Sequence, residues 1–236
     1  MPRALFVARD RTEGVLAAFS ERGIVPQATP SPTELLARRF AREVGVPEVP
    51  IVRATQVHGR RVVEIEARPA PGEVVDAGEC DALVTRLSGV ALVVQTADCV
   101  PVLLSGHGAL GAVHAGWRGA VANVAGAAAE AFLGLTDDPR SVRAWLGPAI
   151  GSCCYEVGGE VAAQFARDFV RASCDGRYRL DLPAVVRSQL VSAGVPPESI
   201  VVEGGCTLCG GERYASYRRD RENAGRMIAL VTRLDG

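Results

Sequence analysis

Residues 93–104 constrain the fold of this chain more than any other stretch. They read Val-Val-Gln-Thr-Ala-Asp-Cys-Val-Pro-Val-Leu-Leu, so two apolar runs flank one short polar group. Short runs rich in Val and Leu, bounded by turn residues, are typical of buried strands. We therefore predict strands over 90–96 and 100–104. Asp98 and Cys99 lie between them, and a polar pair at this position indicates a chemical role beyond packing.

Two further predicted strands end next to a histidine. The run 109–114 ends at His114, and the run 51–57 is followed by His58. Side chains at the ends of different strands can converge, and two imidazoles with one thiolate would form a zinc or copper site with an open position. The spacing along the chain alone favours three unrelated residues, because motif matches often arise by chance. A third interpretation makes Cys99 a nucleophile with His114 as its base.

Composition excludes several classes of function. The 236 residues are 48% hydrophobic, enough for one large domain or two small ones. A net charge of −1 provides no excess of positive charge that would indicate binding to nucleic acid or to an anionic membrane. The chain contains no Lys, which excludes Schiff-base and Lys-linked pyridoxal chemistry. Seven Cys without disulfide spacing, and no signal-peptide or membrane-spanning run, predict a reducing cytoplasm.

The pattern along the chain predicts strands first and helices later. Thr33 is a candidate N-cap for a helix over 34–44. Further strands are predicted over 4–8, 51–57, 61–66, 80–85, 143–146, 200–203, 214–217 and 227–231, and further helices over 119–133, 159–172 and 182–193. The rest of 1–31 is expected to be irregular. This order predicts the α+β class, or a mixed α/β sheet covered by helices.

The remaining cysteines and His107 are assigned no chemistry. Cys206 and Cys209 form one Cys-x-x-Cys, which indicates a redox pair, half of a zinc site, or local packing. We predict a structural role or merely local packing, since no second such pair exists and the adjacent Cys153 and Cys154 are not expected to bind one metal together. His107 lies in a predicted turn and is expected to be solvated. The cysteines expected to be reduced and non-catalytic are Cys80, Cys153, Cys154, Cys174, Cys206 and Cys209.

Eight motifs in order resemble one family. They occupy 55–59, 80–85, 96–101, 112–119, 147–158, 206–209, 216–220 and 225–226. Together, over roughly residues 18–231, they resemble the YfiH-like family, also called the laccase-domain or multicopper polyphenol oxidase family and, more recently, a purine nucleoside phosphorylase family. So many motifs in order are improbable by chance.

The resemblance implies a fold, a metal and an activity. It implies a single α/β/β/α layered domain over 1–236, with zinc or copper bound by His58, Cys99 and His114. It implies a cytoplasmic enzyme for phosphorolysis of adenosine, inosine or methylthioadenosine and for deamination of adenosine. The alternatives are a copper-dependent phenol oxidase and a hydrolase that edits a muramyl peptidoglycan precursor with Cys99 as nucleophile. Three His in total argue against several coppers, whereas a single copper stays open.

Candidate substrate contacts follow from the same resemblance. Arg22, Arg118 and Arg218 are predicted to contact phosphate or ribose, since guanidinium groups bind phosphate bidentately. Arg22 belongs to the segment 18–23, which looks like the family's Phe-Ser-x-Arg opening. Without the resemblance, Arg218 would be interpreted as a solvated charge, whereas Arg118 could equally bind an anion at the start of the following helix or lie on the surface. Asp98 is a candidate for proton transfer or for support of Cys99. One departure concerns the N-terminal region, where the family's Ser-Leu-Asn-Leu segment is missing between Arg22 and the first helix.

Overall fold

The computed structural model describes residues 3–10, 14–23 and 32–234 of the protein, and these form a mixed α/β fold. The strands are β1 (Ala4–Asp10), β2 (Val15–Ser20), β3 (Ile51–Thr55), β4 (Val62–Ile65), β5 (Val74–Glu79), β6 (Ala82–Thr85), β7 (Ala91–Thr96), β8 (Val100–His107), β9 (Ala109–Ala115), β10 (Asp138–Leu146), β11 (Glu156–Val157), β12 (Val170–Ala172), β13 (Tyr178–Leu180), β14 (Ile200–Val202) and β15 (Met227–Arg233). The helices are α1 (Pro32–Glu43), α2 (Trp117–Val121), α3 (Val124–Leu133), α4 (Gly159–Ala162), α5 (Leu182–Ser192) and α6 (Tyr217–Asp220). The predicted α+β class is confirmed.

The strands form two six-stranded sheets and one small sheet. The first sheet has the order β1-β2-β15-β7-β3-β5, and β3 runs parallel to both of its neighbours. The second has the order β14-β10-β8-β9-β6-β4, with parallel pairs at its two edges. The small third sheet has the order β11-β13-β12. The turn between β7 and β8 therefore connects the two large sheets, and Cys99 lies in it.

The two large sheets pack face to face, and helices cover their outer faces. Side chains from both sheets share one buried cluster, among them Phe19, Leu92, Leu103, Leu110 and Trp145. Helix α1 packs on the outer face of the first sheet through Leu36 and Phe40, and helices α3 and α5 pack on that of the second. The layers therefore follow the order α/β/β/α.

Strand β7 shows why the sequence around 90–96 is apolar without alternation. Leu92 and Val94 point into the cluster between the sheets, whereas Ala91 and Val93 point into the cluster under α1. Successive side chains of a strand face opposite sides, so a strand that is covered on both faces needs apolar residues throughout. Thr96 follows at the end of this strand, where the chain turns towards the polar cavity described below.

Five strands were not expected from the sequence, namely β2, β5 and the three strands of the small sheet, β11, β12 and β13. Strand β2 lies within residues that were predicted to be irregular, and all six of its residues are buried. Strand β5 was not predicted, because its side chains are half-buried or exposed at the edge of the first sheet and its apolar pattern is weak. The absent Ser-Leu-Asn-Leu segment would fall in 24–31, which lies outside the described residues.

Three predictions of regular structure were wrong. The helix over 119–133 is divided at Asn123, whose φ of 63° lies in the left-handed region that Asn tolerates. The helix over 159–172 ends after α4, because Ala166 is extended and the chain then enters the edge strand β12. The strand over 214–217 is absent, because the Ser216 side chain caps α6 by accepting from the Arg219 N–H at 3.3 Å.

Among the described parts of the chain, no helix is long and apolar enough to cross a membrane.

Candidate metal centre and active-site cavity

The carboxylate of Asp81 organises the loop that carries His58. Asp81 is fully buried just before β6 and accepts three successive backbone N–H groups. The donors are Val57 at 3.3 Å, His58 at 3.0 Å and Gly59 at 2.6 Å. Successive N–H groups around a residue of positive φ form an anion-binding concavity, and His58 has a φ of 59°. Asp81 therefore fixes the position of His58, although the His58 side chain is exposed.

The same carboxylate orients His114. Strand β9 pairs with β6, which brings His114 Nδ1 to 2.8 Å from Asp81 Oδ1, and His114 is buried. A carboxylate that accepts from one ring nitrogen directs the other nitrogen to a metal in many metal sites. Asp81 lies in the motif 80–85 but was assigned no role from the sequence. An acidic residue before a predicted strand is equally typical of a turn, so the local sequence gives no signal for this role.

Cys99 completes the cluster from the turn between the sheets. Its neighbour Asp98 has a φ of 83°, and Cys99 Sγ lies 3.8 Å from His58 Nε2. The ligand atoms of His58, Cys99 and His114 all lie within 4.8 Å of one another. Bonds of about 2.0–2.3 Å in a tetrahedral zinc site place ligand atoms roughly 3.3–3.8 Å apart. The three predicted residues are therefore brought together, and they fit a metal after small side-chain adjustments.

Gly116 makes room for this convergence. A Cβ at this position would lie 2.7 Å from His58 Cδ2 and 3.1 Å from Cys99 Sγ. A contact of 2.7 Å is shorter than van der Waals separation, so any larger residue would displace the imidazole. The glycine in the motif 112–119 is therefore required by the triad itself.

Cys99 and His114 favour each other's charged forms. Burial disfavours both charges, but the His114 charge and hydrogen bonds from both histidines lower the pKa of Cys99 to about 6. Burial alone would lower the pKa of His114, but the Cys99 thiolate and Asp81 outweigh it and raise this pKa to about 9. Burial alone would raise the pKa of Asp81, but His114 and the loop N–H groups outweigh it and lower this pKa. The protein thus holds a thiolate at neutral pH, the form that binds metals or attacks as a nucleophile.

A cavity of about 570 Å³ opens over the triad and carries excess positive charge. Four arginines line it, namely Arg118, Arg218, Arg221 and Arg226. Among the described residues that line it, Asp98 is the only acidic one. Its volume lies within the range of sites for small organic ligands. The cavity therefore suits an anion bound beside the triad.

Aromatic rings hold the two cavity arginines that were predicted from the sequence. The Arg118 guanidinium lies 4.3 Å from the centroid of the Trp117 ring. The Arg218 guanidinium lies 5.3 Å from that of Tyr155, and its Nη1 donates to the Glu156 carbonyl at 2.9 Å. Stacking on aromatic faces stabilises a guanidinium while its N–H edges stay available. Both predicted arginines therefore line the cavity in defined orientations.

Arg22 is not among the described residues that line the cavity. Its Nη2 lies 3.2 Å from Asp220 Oδ2 and donates to the Asn223 carbonyl at 2.9 Å. The ion pair fastens the N-terminal region to the end of α6. Arg221 and Arg226, which do line the cavity, were not predicted from the sequence. Nothing in their spacing distinguishes them from solvated arginines.

Both carboxylate oxygens of Asp98 are engaged. Oδ1 accepts from Thr207 Oγ1 at 2.6 Å, and Oδ2 accepts from the Arg218 backbone N–H at 2.7 Å. Asp98 thus joins the turn that carries Cys99 to two loops of the cavity wall. This arrangement favours the predicted support of Cys99 over the predicted proton transfer.

The Cys-x-x-Cys of 206–209 is not isolated. Cys153, Cys154, Cys206 and Cys209 lie together, and their sulfur atoms are all within 4.8 Å of one another. The approach of the adjacent cysteines to this pair was not considered from the sequence, and the fold brings all four together. All seven cysteines are free thiols. The predicted solvation of His107 is confirmed, since its side chain is 65% exposed and lies 3.8 Å from Asp137.

Several known proteins are similar to this chain over most of its length. A family model described as multi-copper polyphenol oxidoreductase laccase matches residues 29–234. A purine nucleoside phosphorylase of Xylella fastidiosa is 38% identical over 201 residues, which cover 82% of this chain and 75% of that protein. A protein of an unknown prokaryotic organism named adenosine deaminase RL5 is 36% identical over 209 residues, covering 82% and 79%.

A solved structure is similar to this chain in fold. The Bacillus licheniformis hypothetical protein YfiH superposes with a TM-score of 0.81 at 28% identity, over 95% of this chain and 94% of that one. The matched range includes all three residues of the triad and the arginines of the cavity. The chain therefore belongs to the YfiH-like family of laccase-domain proteins.

Proposed function

We propose that this protein is a metal-dependent purine nucleoside enzyme of the cytoplasm, which carries out phosphorolysis of adenosine, inosine or methylthioadenosine and deamination of adenosine. One observation carries the proposal: a cavity of nucleoside size with four arginines opens over a cluster of two imidazoles and a thiolate. Relatives named purine nucleoside phosphorylase and adenosine deaminase support it.

The triad fits zinc or copper on three grounds. Its donors are borderline or soft, its ligand atoms lie within 4.8 Å, and Gly116 leaves room for them. His58, Cys99 and His114 would hold the ion, and Asp81 would orient the two imidazoles. A metal there supplies a Lewis acid and an acidified water at its open position.

The arginines provide what phosphorolysis requires. In this reaction a phosphate oxygen forms a bond to C1′ of the ribose while the bond from C1′ to the purine nitrogen breaks. The electron pair of that bond leaves with the purine, which must take up a proton. Arg118 and Arg218 would bind phosphate through charge-assisted hydrogen bonds and hold it against the sugar. No Lys is present to share this task.

Aromatic side chains provide a surface for the base. Trp117, Tyr155 and Tyr217 line the same cavity. Burial raises the pKa of Tyr155 to about 12, with the Cys99 thiolate adding to the effect, so its hydroxyl stays protonated at neutral pH. Tyr155 is therefore a hydrogen-bond donor in the cavity. Arg118 and Arg218, stacked on two of these rings, would place phosphate at the edge of the base-binding surface.

The test is product analysis with the purified protein. Adenosine, inosine and methylthioadenosine are supplied with and without inorganic phosphate, and free base, ammonia and the sugar phosphate are measured. The sugar phosphate is ribose 1-phosphate from the first two nucleosides and 5-methylthioribose 1-phosphate from the third. We expect that base is released only when phosphate is present, together with an equimolar amount of sugar phosphate. Of the three nucleosides, only adenosine should release ammonia. Metal-loaded protein that releases neither base nor ammonia from any of the three nucleosides would contradict the proposal.

A second candidate is favoured by a specific observation. Cys99, His114 and Asp81 are arranged as nucleophile, base and orienting carboxylate, and the pKa of Cys99 is lowered to about 6. This arrangement would suit a thiol hydrolase. A thiolate that binds a metal is no longer a free nucleophile, so the two candidates predict opposite results. Chelator-treated protein that keeps hydrolase activity and loses it on stoichiometric alkylation of Cys99 would support the hydrolase.

A further inference from the structure

Two loops beside the cavity each contribute two cysteines to one cluster. Cys153 and Cys154 lie in the turn that follows β10, and Cys206 and Cys209 lie in the loop that follows β14. The four sulfur atoms lie within 4.8 Å of one another, and those of Cys153 and Cys209 are 3.7 Å apart. None of the four belongs to the triad, and none lines the cavity. The proposed function therefore leaves this cluster unexplained.

The separation of the sulfurs matches a tetrahedral metal site. Four sulfurs bound to zinc at about 2.3 Å lie roughly 3.8 Å apart at tetrahedral angles. A disulfide holds two sulfurs at about 2.05 Å, whereas those of Cys153 and Cys209 are 3.7 Å apart and all four cysteines are free. Cys153 and Cys209 are exposed and the other two are half-buried, so an ion can reach the cluster from solvent. We propose that these four cysteines form a second metal site, which binds zinc through four thiolates and is distinct from the triad.

The backbone around Cys206 is arranged for a thiolate. The Gly151 N–H donates to Cys206 Sγ at 3.3 Å, and the N–H groups of Leu208 and Cys209 also point at this sulfur. Such hydrogen bonds stabilise the charge of a thiolate and fix the orientation of a ligand. A Cβ at Gly151 would lie 3.3 Å from both Cys153 Sγ and Cys206 Cβ. The two loops therefore cross at a glycine, which allows their sulfurs to approach.

The site would fasten the wall of the cavity. Tyr155, which directly follows Cys154, lines the cavity. Thr207, between Cys206 and Cys209, donates to Asp98 at 2.6 Å, and Asp98 precedes the triad ligand Cys99. Four protein ligands leave no open position, so the role is structural. The ion would connect the two loops without taking part in the reaction, and the proposal does not depend on the proposed function.

The experiment is a zinc count on purified variants. Each protein is saturated with zinc, desalted, and measured by mass spectrometry of the metal. We expect about two zinc ions per wild-type chain and about one in both Cys206→Ser and Cys209→Ser. The exposed Cys174, which lies outside both clusters, provides the matched control, and Cys174→Ser should keep two. Cys206→Ser with the same zinc content as wild type would overturn the proposal.

A second measurement does not require the cluster variants to fold. X-ray absorption at the zinc edge counts sulfur ligands in the wild type and in Cys99→Ala. We expect an average of about 2.5 sulfurs per zinc in the wild type, because one site has four thiolates and the other has one. Cys99→Ala should keep one zinc with about four sulfurs. Zinc with about one sulfur in the wild type, or a disulfide among the four cysteines of zinc-saturated protein, would refute the site.

Discussion

Replacing Asp81 by Asn should weaken both the fold and the metal site. Asp81 receives four hydrogen bonds, two on each oxygen: from His58 and His114 on Oδ1, and from Val57 and Gly59 on Oδ2. An amide keeps one acceptor oxygen, so two donors lose their partner in a fully buried position. Hydrogen bonds to a charged group contribute roughly 1.5–3 kcal/mol each. We therefore expect the free energy of unfolding to fall by about 3 kcal/mol or more.

The same substitution should lower metal affinity. Removal of a carboxylate that orients a ligating histidine typically costs about 10–100-fold in metal affinity. The assay is competition with a chromogenic chelator, beside urea unfolding of the metal-free protein. The pKa of His114, now about 9, should also fall, because Asp81 contributes to its elevation, and an NMR titration would detect this.

Asp137→Asn is the matched control. Asp137 is also an acidic residue that pairs with a basic side chain, Arg86 at 3.1 Å, but it is 53% exposed and remote from the triad. Its substitution should change the free energy of unfolding by less than about 0.5 kcal/mol. Asp81→Asn with wild-type metal affinity and an unchanged pKa of His114 would show that the carboxylate does not orient the imidazole.

Three further predictions follow from the geometry. Gly116→Ala should release metal from the triad, because the new methyl group would lie 2.7 Å from an imidazole carbon. The control Gly159→Ala, whose nearest contact would be 3.6 Å, should retain the metal. Counting zinc in the two variants checks this prediction. Arg118→Ala should raise the KM for phosphate by about 10-fold or more, the effect of one charge-assisted hydrogen bond, while the exposed Arg140→Ala should leave it unchanged. Alkylation of Cys99 in the metal-free protein should be half-maximal near pH 6. Because the pKa of Cys99 is lowered to about 6, the thiolate dominates above pH 6 and is protonated below it. An alkylation rate that rises only near pH 9 would show that His114 does not stabilise the Cys99 thiolate.

The sequence predicted the triad because its three residues lie next to strand ends. Apolar runs that stop at Cys99 and His114, and one that is followed by His58, indicate strands that lead to a common edge. The family motifs then selected these residues from several possible sets. The same reasoning found Arg118 and Arg218, which the structure places in the cavity. Such features are local in sequence, and a single chain is enough to reveal them.

The parts that were missed depend on contacts between distant segments. Asp81 has no local feature that distinguishes it from a turn residue, and its role appears only when the loop of His58 folds over it. Cys153 and Cys206 meet because β10 pairs with β14, which the spacing of the cysteines does not encode. The ion pair of Arg22 with Asp220, almost two hundred residues away in the chain, was likewise not foreseen, and the substrate contact of Arg22 stays a prediction. The single-domain organisation over 1–236 stays a prediction.

The central claim is that the triad holds a metal that the nucleoside reaction requires. The most direct test measures metal content and phosphorolysis of adenosine in the same samples, before chelation, after chelation and after zinc is restored. Zinc that is lost in His58→Ala defines the occupancy of the triad. We predict that the rate of phosphorolysis is proportional to this occupancy. It should fall to background in the metal-free wild type and in His58→Ala. Added zinc should restore the rate of the wild type but not that of His58→Ala. Full activity of protein shown to be free of metal would contradict the account.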